Sequence, residues 1–127
     1  MAPETRKYTQ EHEWVLQTGD DTVRIGITDY AQQQLGDVVF VQLPEVGDTV
    51  DAGAGMGEVE STKSVSDLYA PLGGEVVARN ERLDEQPELV NSDPLEQGWM
   101  VELRLSEASE LEGLLDESAY QELIEQD

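Results

Sequence analysis

Apolar residues fall at two periods along the chain. Val23, Ile25 and Ile27 alternate with Thr22, Arg24 and Gly26, the pattern of a half-buried strand. Trp99, Val101, Leu103 and Leu105 repeat it and predict a second strand with those four on its buried face. His12 to Leu16 also reads as a strand, separated from Thr22 by a turn at Asp20-Asp21. Val38-Val39-Phe40-Val41-Gln42-Leu43 is the most apolar run; ended by Pro44, it predicts the central strand. Val46 to Val50 gives a turn and a short strand, and Glu75 to Ala78 another.

Helical signals lie between the strands and in the tail. Thr28 is suited to an N-cap, Asp29 to a first turn, Ala31 and Leu35 share a face, and Gly36 is a stop. Near the end, Ser109 and Glu112 read as a capping box. Leu111, Leu114 and Leu115 form one apolar stripe, and Tyr120, Leu123 and Ile124 another; Gly113 and Asp116 divide the tail into two short helices. Residues 80–98, with Pro87 and Pro94, read as a long polar loop with room for one helical turn. The expectation is a single β-rich α+β domain over residues 1–127, with a loose arm at 1–7 and a helical tail from 106.

One stretch organises the rest: Glu58-Val59-Glu60-Ser61-Thr62-Lys63-Ser64-Val65-Ser66-Asp67. Valines and serines flank the lysine, and turn residues lie further out, from Gly53 to Gly57 before and at Pro71 and Gly73-Gly74 after. This predicts two strands meeting at a tight turn with Lys63 at its tip. Such an amine is solvated and free to be modified. The plain alternative is a solubilising surface charge. Lys63 and Lys7 are the only two lysines beside five arginines, so an amine kept at this tip carries more weight than usual.

Other chemistry fits poorly. His12 is the only histidine, and on a strand Glu11 and Glu13 would face away from it, which argues against a metal site. No nucleophile-elbow pattern accompanies it. Gly53-Ala54-Gly55-Met56-Gly57 lacks the spacing of a phosphate loop, and Glu58 and Glu60 would repel an anion; its glycines suit a tight turn or close packing. Glu58, Glu60 and Asp67 would stabilise the Lys63 ammonium, whereas a nucleophilic lysine needs it destabilised.

Composition narrows the partners. There is no cysteine, so disulfides, zinc-thiolate sites and thiol chemistry of the chain's own are excluded. Twenty-nine acidic residues against seven basic ones give a net charge of −22. That field disfavours nucleic acid and anionic membrane as partners. No basic region precedes an apolar run at the start, and no stretch reaches the roughly 18 apolar residues of a membrane span; a soluble, cytoplasmic monomer is expected.

Several motifs together resemble a known family. Glu60-Ser61-Thr62-Lys63-Ser64-Val65-Ser66-Asp67-Leu68-Tyr69-Ala70-Pro71-Leu72-Gly73-Gly74-Glu75-Val76 resembles the lipoyl-attachment segment of glycine cleavage system H proteins. So do His12-Glu13-Trp14, Gly26 to Gln32, Leu35 to Val41 and Gly98-Trp99-Met100, in the same order. The resemblance runs from about Tyr8 to Ile124. It implies a barrel-sandwich hybrid of the lipoyl/biotinyl-carrier type, two small sheets with short helices. It implies lipoate on Lys63, with Glu60 read by a lipoate-attaching enzyme; biotin carriers place methionines where Thr62 and Ser64 stand. It implies a non-enzymatic shuttle between glycine decarboxylase (P protein), aminomethyltransferase (T protein) and dihydrolipoamide dehydrogenase (L protein). Glu13 matches a residue of the cleft where the loaded arm rests, and Gln34 stands where some members carry histidine. The rivals are an H-like relay donating lipoate to 2-oxoacid dehydrogenase carrier domains, a stand-alone hydrolase, and an interaction module with an unmodified lysine.

The acidity has two readings, a docking face for basic enzymes or adaptation to high salt. The acids are spread along the whole chain, and residues 81–127 alone hold 15 of them against two arginines, which favours salt adaptation. The expected outcome is folding stability that rises from low to molar salt in denaturant titrations. Undiminished stability at low salt would rule this out.

Overall fold

The computed structural model of the chain describes residues 6–126. In chain order the elements are β1 (Arg6–Tyr8), β2 (Glu13–Gln17), β3 (Thr22–Ile27), α1 (Asp29–Leu35), β4 (Val38–Gln42), β5 (Thr49–Val50), β6 (Gly55–Ser61) and β7 (Val65–Tyr69). There follow β8 (Gly74–Arg79), two single-turn helices α2 (Arg82–Glu85) and α3 (Leu89–Ser92), β9 (Val101–Leu105), a 3-10 helix (Ala108–Gly113) and α4 (Glu117–Gln126). Six strands form one antiparallel sheet in the order β1-β2-β3-β9-β8-β5, and three form a smaller one in the order β4-β6-β7. The two sheets enclose the core as an open sandwich.

The core follows from strand alternation. Val15, Val23, Ile25, Val76 and Leu103 of the large sheet pack with Val41, Val59 and Leu68 of the small one. Each such side chain removed from water contributes about 1.5–3 kcal/mol before entropy is counted. Trp14 points away from this cluster yet is fully buried. It lies opposite Gly26, where a side chain would collide with the indole, and its Nε1 donates to Pro94 O at 3.0 Å. One glycine in the small sheet is equally constrained: a Cβ on Gly57 would strike the Gln42 carbonyl where β4 and β6 approach. The expected close packing of the glycine run is realised there.

Several expectations are corrected. Residues 1–5 of the expected arm lie outside the described residues, but Arg6 and Lys7 form β1. Arg6 is the reason: its guanidinium lies over the Trp14 ring at 5.1 Å and donates to Leu95 O at 2.9 Å. His12 is not on a strand. It closes the β1–β2 hairpin with φ 68°, in the left-handed conformation typical of the last residue in a three-residue hairpin loop. The run at Val38 is an edge strand, not a central one, and β6 lies in the middle. Trp99 is only half-buried, against Arg24 at 4.6 Å, and Met100 is the fully buried residue before β9. The polar segment at 80–98 holds two helical turns where room for one was read.

The signals for α1 hold, whereas the expected capping box does not: the 3-10 helix begins at Ala108 with Glu107 at its N-cap, which places Ser109 inside the first turn. The Thr28 side chain accepts from Ala31 N at 3.2 Å, and Gly36 ends α1 with φ 81°. The tail divides as expected, into the 3-10 helix and α4, although the side chain of Ser109 lies outside the described residues and so does Asp127. Tyr120 fastens α4 to the body. It is 3% exposed, its ring stacks on Tyr8, and its hydroxyl lies 2.8 Å from His12 Nδ1 and 2.7 Å from Thr28 Oγ1. Tyr120→Phe is expected to cost about 1–3 kcal/mol, because it strips a partner from buried polar groups. Urea unfolding at fixed salt checks this; a change too small to resolve would mean the hydroxyl is dispensable.

Candidate functional site

The turn between β6 and β7 is closed by its own serines. Ser61 N donates to Ser64 O at 2.8 Å. The Ser61 hydroxyl donates to Ser64 O at 3.1 Å and accepts from Lys63 N at 3.3 Å and Ser64 N at 3.1 Å. One side chain thus satisfies the backbone that a four-residue turn leaves unpaired. Lys63 sits at the tip and is exposed. Among the described residues no ion pair engages its ammonium.

The tip is also tied to the body. Thr62 N donates to Asp37 O at 3.0 Å, in the link between α1 and β4. That link is held by Asn91 of α3, whose Oδ1 accepts from Val38 N at 2.8 Å and whose Nδ2 donates to Gly36 O at 2.9 Å and Gln32 Oε1 at 2.9 Å. Gly36 lies under the lysine stem: a Cβ there would meet Lys63 Cε at 3.5 Å. Sequence reasoning missed Asn91 and Asp37. No periodicity marks an asparagine in a polar stretch, and a backbone carbonyl leaves no compositional trace.

Glu13 and Gln34 flank a cleft of about 170 Å³ bordered also by Ala31 and Leu35 of α1, Val59 of β6 and Leu68 of β7. Glu13 is only 1% exposed although it opens β2. Its Oε1 accepts from Thr9 Oγ1 at 2.9 Å, and its Oε2 accepts from Tyr69 N at 3.2 Å, so one carboxyl joins the two sheets. Burial pushes that carboxyl up to about 7, with the bonds from Thr9 and Tyr69 opposing the rise and Glu11 adding to it. Gln34 is exposed on the α1 side of the cleft. Glu60 stands apart from it, exposed on β6 between Phe40 and Val65. The structure therefore brings Glu13 and Gln34 together at one cleft, sets Lys63 at the end of α1 beside it, and leaves Glu60 on the outer sheet face. His12 also borders the cleft. Among the described residues no three His, Asp or Glu side chains are grouped to hold a metal ion.

The hairpin thus displays an exposed amine on a stiff turn, and the comparisons give the family. The family model for the glycine cleavage H-protein matches residues 6–127. The chain belongs to the glycine cleavage H-protein family. It is 61% identical over 122 residues to the glycine cleavage system H protein of Mycobacteroides abscessus, covering 93% of each chain. It is 56% identical over 122 residues to that of Chromohalobacter salexigens, covering 96% of this chain and 93% of the other. A crystal structure of the H protein from Mycobacterium marinum superposes with a TM-score of 0.84 at 44% identity, covering 98% of each chain. H proteins are the lipoyl carriers of the glycine cleavage system, and the barrel-sandwich expectation stands with the fold. The comparisons do not favour the relay reading.

The Glu13 environment makes a pH prediction. Its folded-state value, about 7, lies above the 4.5 of a free carboxyl. Its contribution to stability is therefore complete below pH 4.5 and is lost as pH rises through 7. In Glu13→Gln the amide can still accept from Tyr69 N and meet Thr9 Oγ1 without charge. Relative to wild type, the variant should gain on the order of 1–3 kcal/mol between acid and pH 8. Denaturant titrations of both proteins across that range check it; a constant difference would show that Glu13 titrates normally.

Proposed function

We propose that Lys63 is the lipoyl-attachment residue and that the chain is a non-catalytic shuttle. In this reading it carries the aminomethyl group of glycine from glycine decarboxylase to aminomethyltransferase and is re-oxidised by dihydrolipoamide dehydrogenase. The observation that carries the proposal is the exposed Lys63 ammonium, without an ion pair among the described residues, on a hairpin pinned at Ser61 and Thr62. A lipoate-attaching enzyme needs that amine within reach, and the rigid turn presents it without further ordering. Lipoate would supply the sulfur chemistry that a chain without cysteine lacks.

The surroundings fit the group. The lysine stem lies over Gly36, and Leu35 and Gln34, the residues just before it, border the cleft; a chain extended from Lys63 begins beside it. Val59, Leu68 and Leu35 give that cleft apolar walls, and the Glu13 carboxyl, pushed up to about 7 by burial, gives it one polar group. These residues would shelter the arm from water between visits. Glu60 lies on the open face instead, where an attaching enzyme can read it. Tethering keeps the carried group at high local concentration near each active site, so the scaffold needs no reactive groups of its own. A soluble cytoplasmic monomer remains the proposed working form.

Intact-mass analysis of the chain from its native cell should show one lipoyl adduct, located at Lys63. Lys63→Arg should keep the unfolding midpoint, carry no adduct and abolish glycine cleavage when the three partner enzymes are reconstituted. Full activity in that variant would end the proposal.

A further inference from the structure

The fold leaves one apolar group uncovered beside the attachment hairpin. Val39, Phe40 and Val65 are 49%, 50% and 58% exposed. Phe40, Glu60 and Val65 stand in register across β4, β6 and β7, and Val65 is two residues from Lys63. A shift of register between Val38 and Phe40 leaves both Val39 and Phe40 outward, whereas Val38 and Val41 are buried. Bulges re-aim side chains in this way. Edge strands are ordinarily guarded by charge or proline, so an aromatic ring displayed on one calls for a partner. The next rung is Gln42, Glu58 and Asp67, all exposed. These two rungs hold three acids and no basic side chain.

We propose that this outer face of the small sheet is the docking surface for the lipoate-attaching enzyme that modifies Lys63. The proposal rests on Lys63 being the attachment point. The partner surface that fits is an apolar recess for Phe40 and Val65, bordered by lysine or arginine side chains that meet Glu58, Glu60 and Asp67. A second copy of this chain fits poorly, since it would set those acids against one another.

The test is a binding isotherm between a purified lipoate-attaching enzyme and the unmodified chain. Phe40→Ser with Val65→Ser should raise Kd at least ten-fold, about 1.4 kcal/mol. Val46→Ser, which alters an equally exposed valine in the turn before β5, should leave Kd unchanged. An unchanged Kd in the double variant, or no binding by the wild type, overturns the proposal. So does sedimentation showing a wild-type dimer that the double variant splits, since a second copy would then cover the face. Intact mass after incubation with lipoate and ATP is read in parallel. A wild type that binds but gains no lipoyl group would defeat the attachment reading itself, whereas a wild type that is lipoylated while the double variant binds equally tightly would defeat the docking surface alone.

Discussion

The hydrogen bond from Thr62 N to the Asp37 carbonyl joins the Lys63 turn to the body of the protein. β4 already pairs with β6 as far as Ser61, so what this bond adds is a hold on the turn itself, beyond the last paired residue. With it, the tip inherits the rigidity of the α1–β4 link, which Asn91 fixes from a third element. The cost of ordering the turn is met during folding. In the proposed role the arm on Lys63 is met repeatedly by different enzymes, and each encounter would otherwise have to order the turn again.

Glu13 shows the opposite use of burial. A carboxyl that joins the two sheets through Thr9 and Tyr69 could have been replaced by an apolar contact with little loss of stability. It is instead a polar group of a cleft whose other walls are largely apolar. Burial pushes its carboxyl up to about 7 although the bonds from Thr9 and Tyr69 oppose the rise.

The sequence was legible where local chemistry and tertiary packing agree. The alternation of Val23, Ile25 and Ile27, the cap at Thr28 and the stop at Gly36 each report a requirement settled within a few residues. Lys63 was legible because the serines beside it are what a tight turn needs, and they bond as such. What failed depended on distant partners. Arg6 orders the start of the chain only because Trp14 and Leu95 lie under it. His12 leaves the strand because the hairpin loop demands a left-handed residue, and it lies within hydrogen-bonding distance of a tyrosine more than a hundred residues away. Asn91 gave no signal, since its three bonds reach across the fold to α1 and β4.

The misreading of Val38 to Leu43 is the most informative. An uninterrupted apolar run predicts a strand covered on both faces, and here Val39 and Phe40 remain in water. Local pattern and global fold usually agree, so a conflict that persists points to a demand other than folding. The other apolar residues of this run, Val38, Val41 and Leu43, are buried as the rule requires. The exception sits one strand from Glu60 and in register with Val65, beside the turn that displays Lys63. A protein this acidic has ample charge to place on an edge strand, and it has placed an aromatic ring there instead.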